Sequence, residues 1–204
     1  MSEQTGIGEP APSTPKAPSP IRRHRRQRSS TRNAIEWLVV IIGAVVVALL
    51  IKTFVVQAFR IPSDSMVPTL LDGDRVLVNK LSYDAHELHR GDVIVFERPE
   101  GLPAGPDDPD DLIKRVIGLP GETIESRDGV VVVDGRELEE PYLVDEASTF
   151  NLDSPIEVPP DHVLVMGDNR TNSTDGRAFG PIPTDTVIGR AFMIMWPPSR
   201  IGGL

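Results

Sequence analysis

The sequence predicts a mainly β protein. An antiparallel β-sheet domain over residues 58–204 follows one transmembrane helix over 34–57 and a disordered tail over 1–33. Three observations carry this. Trp37 to Ile51 is uninterrupted apolar sequence with one glycine. Beyond Phe59, short β-branched runs alternate with Gly, Pro and Asp, the signature of strands and turns. The first 33 residues are rich in Pro, Ser and Arg and nearly devoid of large apolar side chains.

The tail cannot bury enough apolar surface to offset its ordering entropy, so disorder is expected there. The anchor follows from length. Trp37 to Val56 is 20 residues, enough for about 30 Å of hydrocarbon at 1.5 Å per residue. Lys52 interrupts it late, where a lysine stem can reach the headgroups. Arg22, Arg23, Arg25, Arg26, Arg28 and Arg32 stand on the N-terminal side. Positive charge stays cytoplasmic, which puts the N-terminus inside and the β domain outside. The competing reading is a cleaved secretory signal, with Val56-Gln57-Ala58 as its small-residue site. The apolar stretch is longer than the usual signal core of roughly 7–15 residues, which favours a retained anchor.

In the outer domain, Arg75–Lys80, Asp92–Phe96, Asp111–Ile117, Glu122–Ser126, Val130–Val133, Val163–Met166 and Thr186–Trp196 read as strands. Asp128-Gly129 and Asp134-Gly135 are turn dipeptides bracketing Val130–Val133. Pro99 to Pro109 and Val144 to Pro160 read as loops. No long helical period and no internal repeat follows the anchor.

Composition removes several functional classes. The net charge of -9 hides a split. Residues 1–35 carry seven Lys/Arg against two Glu, +5; residues 57–204 carry 13 Lys/Arg against 27 Asp/Glu, -14. An acidic body argues against nucleic acid as a partner. With no cysteine, thiol catalysis, disulfides and zinc–thiolate sites are all excluded. The acidic run Asp107–Asp111 lacks calcium-loop spacing and reads as a solvated loop. Neither a zinc H-E-x-x-H, a P-loop nor a Ser-x-x-Lys pattern is present. None of His24, His86, His89 and His162 sits in a triad context.

Two segments remain as chemistry. Ser65 lies in Ile61-Pro-Ser-Asp-Ser-Met-Val-Pro-Thr-Leu70, stiffened by Pro62 and Pro68. Lys114 lies in Asp111-Leu-Ile-Lys-Arg-Val-Ile-Gly118, with Leu112 and Val116 on its own strand face. A serine needs a base to become a nucleophile. An amine hemmed in by aliphatic groups loses solvation of its charged form, which lowers its pKa towards base duty. Ser63, two residues before Ser65 in an extended chain, projects to the same side and offers a hydroxyl to a developing oxyanion beside the Ser65 backbone N–H. A third segment, Met166 to Gly180, is dense in Gly, Asn, Asp, Ser and Arg. There Ser173 is suited to holding an amine, and Asp175 and Arg177 to forming a supporting charge pair. Each residue also has a plain structural use: Ser65 and Ser63 as turn serines, Lys114 as an edge-strand lysine.

Four blocks in order, Ile61–Leu70, Gly91–Phe96, Ile113–Gly121 and Met166–Arg170 through Ser173, Asp175 and Arg177, resemble those of bacterial type I signal peptidases. The resemblance runs from the anchor to Trp196. It implies Ser65 as nucleophile, Lys114 as general base, Ser63 with Ser65 as oxyanion hole, Ser173 as the serine that orients the lysine, and Asp175 with Arg177 as structural support. It implies that Phe59, Ile61, Pro62, Met66, Leu70, Leu112 and Ile113 bind substrate. A preprotein would be added as a strand against Phe59–Ser63 and Asp111–Lys114 and cut after small residues. It also implies no metal or cofactor, a bacterial cytoplasmic membrane location, and preproteins, the bilayer and the secretion translocon as partners. The chain ends soon after Trp196-Pro-Pro, so one anchor is expected, as in Gram-positive members. Two other readings stay open on the residues themselves: an anchored β scaffold, and a different Ser/Lys hydrolase such as a regulatory protease.

Overall fold

A computed structural model describes residues 30–85, 87–106, 108–143 and 152–204. Most of the tail expected to be disordered lies outside the described residues, as do His24, His86, Asp107 and the first half of the loop expected over 144–160. Helix α1 (Ser30–Phe54) is 25 residues long. It starts ahead of the expected anchor and stops short of Val56, which begins a strand instead. Ile35, Trp37, Leu38, Val39 and Ile41 are exposed along it. Among the described residues, no helix is long and apolar enough to cross a membrane.

The β domain begins at β1 (Val56–Arg60). There follow β2 (Arg75–Asn79), the one-turn helix α2 (Ser82–Ala85), β3 (Val93–Glu97), β4 (Asp111–Gly118), β5 (Thr123–Arg127), β6 (Val130–Val133) and β7 (Arg136–Glu137). After these come β8 (Ile156–Glu157), β9 (His162–Met166), the one-turn helix α3 (Gly176–Phe179), β10 (Ile182–Pro183), β11 (Val187–Trp196) and β12 (Gly202–Gly203). The larger sheet has the order β1-β2-β11-β3-β4-β9-β10, with β12 against β11; the smaller has β7-β6-β5-β8. All pairings are antiparallel, as the sequence predicts.

The turn dipeptides behave as their chemistry requires. Asp128 and Gly129 have φ of 51° and 82°, and Asp134 and Gly135 have 48° and 79°. Positive φ at both central residues gives a turn whose twist matches the flanking strands. The result is the β5–β6–β7 meander.

Burial on both faces explains why β3 and β4 read as continuous apolar runs rather than alternating ones. Val93, Val95 and Ile113 face one core cluster with Ile61, Met66, Leu70, Val76 and Val78. Ile94, Phe96 and Val116 face a second with Val163 and Val165. A third cluster, with Ile117, Leu164 and Met166 from the large sheet and Ile124 and Val131 from the small one, joins the two sheets.

One feature of register positions the site. β4 pairs with β3 along Asp111 to Arg115. It pairs with β9 only from Arg115 onward. On that side, residues 111–114 meet no strand among the described residues. Lys114 sits at this fork.

Candidate active site

The segment after β1 is held by backbone bonds. Ile61 N–H donates to Asp74 O at 2.8 Å and Gly73 N–H to Ile61 O at 2.9 Å. The turn between carries Ser63 and Ser65 up against β4. Lys114 Nζ lies 2.8 Å from Ser65 Oγ and donates to Ile113 O at 2.9 Å. Ser63 Oγ is 3.3 Å from Ser65 Oγ. The Ser65 backbone N–H has no protein acceptor among the described residues.

Lys114 is 4% exposed. Burial strips water from the ammonium and lowers its pKa to about 8; Asp175 and Asp168 oppose that shift and Arg98 adds to it. A neutral amine within hydrogen-bond reach of a hydroxyl can accept its proton.

The loop after β9 supports the pair from below. Asn169 donates its N–H to Ser65 O at 3.0 Å and its Nδ2 to Asp64 O at 3.0 Å, so it pins the turn that carries Ser65. Asp175 caps α3 and takes Arg177 Nε and Nη2 on separate oxygens, each at 2.8 Å. It also accepts from Gly167 N–H at 2.9 Å. Burial pushes the Asp175 carboxyl up, but Arg177 and the bond from Gly167 hold it below the usual carboxylate range. Ser173 lines the cleft beside Ser65 and Lys114. Its expected bond to the lysine amine is not formed. Ser173 Oγ is buried without a partner of good hydrogen-bond geometry, because Lys114 Nζ points at Ser65 Oγ and Ile113 O instead.

The cleft has a volume of about 560 Å³ and is lined by Pro62, Ser63, Ser65, Leu112 and Lys114 on its reactive side. The other residues expected to bind substrate are not among its lining residues. Ile61, Met66 and Leu70 are 0–1% exposed and, with Ile113, belong to the core, with Phe59 packed against them. Met66 and Leu70 lie one helical turn apart, with Leu70 N–H donating to Met66 O at 2.9 Å, so both face the same core. His89 is solvent-facing beside Asp92, and His162 bonds Pro160 O; neither lines the cleft.

The model of the family described as "Signal peptidase, peptidase S26" matches residues 34–196, which hold all four sequence blocks. The chain belongs to this signal peptidase family. A signal peptidase I from Leptolyngbya laminosa is 43% identical over 98% of this chain and 92% of its own length. One from Mycobacterium tuberculosis H37Rv is 38% identical over 86% and 76%. A solved signal peptidase I from Enterococcus faecalis V583 is similar at 31% identity over 52% of this chain and 97% of its own, with a TM-score of 0.41.

Sequence reasoning did not reach the ionic scaffold of this family member. Arg115 forks onto Asp168 through Nε and Nη2 at 2.8 and 2.6 Å. Thr69 donates to the same carboxylate, Arg115 also donates to Gly91 O, and its guanidinium stacks 3.9 Å from the Tyr142 ring centre. Arg170, 2% exposed, forks onto Glu140. Such groups look like surface charge in a sequence; only their partners reveal burial. Asp168→Ala leaves the Arg115 guanidinium buried and unpaired, at a cost of about 3–5 kcal/mol. The expected result is a thermal midpoint roughly 10 °C lower, and an unchanged midpoint by circular dichroism would refute it.

Proposed function

We propose that the chain is a membrane-anchored endopeptidase that removes N-terminal signal peptides by a Ser65/Lys114 dyad, cutting after small residues of the Ala-x-Ala type. The observation that carries this is the 2.8 Å approach of a buried, easily neutralised amine to Ser65 Oγ. Neutral Lys114 takes the Ser65 proton as Oγ attacks the scissile carbonyl. The oxyanion is held by the Ser65 N–H and the Ser63 hydroxyl. The ammonium then gives its proton to the leaving amine. A water deprotonated by the same lysine hydrolyses the acyl-serine, and the proton returns to Ser65 as it leaves.

The substrate enters as a strand along the open edge of residues 111–114, with Phe59–Ser63 on its other side. Its small side chains suit a floor already filled by Ile61, Met66, Leu70 and Ile113. Asp175 and Arg177 hold the Gly167 segment under Ser65, and Ser173 bounds the space around the amine. The anchor is the helical part of residues 34–57, supported by the apolar side chains that α1 leaves exposed and by the arginines before it. Ser65 lies roughly ten residues past it. That separation keeps the nucleophile near the outer membrane face, where a preprotein's cleavage site emerges, beside the translocon at high effective concentration. Cofactors and metals have no part in this scheme.

The deciding test is cleavage of a preprotein with an Ala-x-Ala site by the full chain in detergent and lipid, with Ser65→Ala alongside. Cleavage after the second Ala by wild type only is expected. Cleavage by both proteins removes Ser65 as nucleophile, and cleavage by neither removes the peptidase reading.

The Ser63 hydroxyl acts only once charge develops on oxygen. Ser63→Ala should therefore lower kcat by about 10²–10³-fold with KM little changed. A wild-type kcat would leave the oxyanion to backbone donors alone.

A further inference from the structure

The far wall of the cleft is built from the connection between β3 and β4, and one side chain organises it. Arg98 follows β3 directly. It donates Nε and Nη2 to Pro109 O at 3.2 and 2.8 Å and Nη1 to Pro103 O at 3.2 Å. Asp108 stands 3.9 Å from Nη2 and accepts from Gly105 N–H at 2.9 Å. Three of its hydrogen bonds thus go to backbone carbonyls on both limbs of one loop. The loop otherwise has little to order it: it is rich in Gly, Pro and Asp, and few backbone bonds cross it among the described residues. The residues so tied, Pro103, Asp108 and Pro109, line the same cleft as Ser63 and Ser65, and Arg98 and Leu102 line it with them.

We propose that Arg98 is a positioning residue that straps this loop into the cleft wall and presents a fixed positive charge to the site, so that it sets how tightly the substrate strand is held. This rests on the peptidase reading above. A loop without the strap must be ordered when substrate binds, and that entropy is lost from affinity. The charge acts on a different quantity. Lys114 faces Asp175 from the segment before α3, Asp168 from the segment after β9, and Arg98 from the end of β3. The first two favour its protonated form and Arg98 opposes it. Lysine keeps the charge but cannot bridge two carbonyl groups as a planar fork does. Methionine loses both.

The experiment measures KM, kcat and the acid limb of the pH profile for the full-length wild type, Arg98→Lys and Arg98→Met, on the same preprotein, with thermal midpoints for each. Expected is a rise in KM of roughly tenfold in both variants, the worth of hydrogen bonds from a charged donor. Only Arg98→Met should move the acid limb to higher pH, because the Lys114 amine then holds its proton longer. Wild-type KM in both variants overturns the proposal. So does a lower thermal midpoint with KM and pH profile unchanged, which assigns Arg98 to stability alone. A wild type that cleaves nothing tests the peptidase reading instead, since these comparisons require an active parent.

Discussion

Replacing Lys114 by methionine is expected to abolish turnover, as the proposed dyad requires, and to leave the protein folded. Methionine fills much of the same space without an acid–base group, so the loss is of chemistry rather than packing. The expected fall in kcat is at least about 10⁴-fold, the upper range for a general base that also activates the nucleophile. Lys114→Arg is equally inactive, because a guanidinium does not give up its proton near neutrality. The wild type makes a matching statement about pH. Burial lowers the lysine pKa to about 8, and in the proposed mechanism the neutral amine is the active form. Activity therefore rises with pH through about 8. The same shift has a stability consequence of known sign. Between about 8 and the ordinary lysine value of 10.5 the unfolded chain binds a proton that the folded chain does not, so this residue's destabilising effect is greatest below 8 and disappears as pH rises towards 10.5. At neutral pH the methionine variant should be no less heat-stable than wild type. Measurable cleavage by Lys114→Met, or an acid limb near pH 5, would remove Lys114 as the base.

The parts of this molecule that a sequence reveals are those governed by local rules. Val93–Glu97 and Asp111–Gly118 are β-branched runs and form strands. Asp128-Gly129 and Asp134-Gly135 need positive φ and adopt it. Val56–Arg60 is different. Its first residues continue the apolar run of the helix, and only pairing with Arg75–Asn79 makes it a strand. The two-residue strands Arg136–Glu137, Ile156–Glu157, Ile182–Pro183 and Gly202–Gly203 are too short to show any period. The second of these falls within a segment read as loop. At the site, chain position suggested Ser65 and Lys114 as chemical types, but their contact spans 49 residues and rests on tertiary packing. The apolar residues around Ser65 were legible as important, but their depth of burial was not. Met66 and Leu70 build a core cluster because the chain after Ser65 makes a tight turn that puts both on one side.

Gly167→Ala should lower kcat by about 10²–10³-fold, with a drop in thermal midpoint no larger than that of Asp168→Ala. A β-carbon at position 167 would lie 2.2 Å from Ser173 Oγ, 2.6 Å from Ser173 Cβ and 2.5 Å from the Ser65 backbone oxygen. Neither side yields cheaply. Gly167 is tied by its N–H to Asp175 and by its carbonyl to Arg170 Nε at 3.2 Å. The Ser65 carbonyl is tied to Asn169 N–H. The clash with Ser173 can be relieved by truncating that side chain. The clash with Ser65 is with main chain, so relief means moving the residue whose Oγ, in the proposed mechanism, meets both the amine and the scissile carbon. A displacement near 1 Å at reacting atoms costs on the order of 10²-fold. Ser173→Gly in the Gly167→Ala background separates the two contacts. Partial recovery of kcat is expected, beyond the level of Gly167→Ala but well below that of Ser173→Gly alone. Recovery to the level of Ser173→Gly alone would show that only the serine side chain was obstructed. A wild-type kcat in Gly167→Ala itself would mean that the Ser65 turn yields without loss of alignment, and that glycine at 167 is not required by the site.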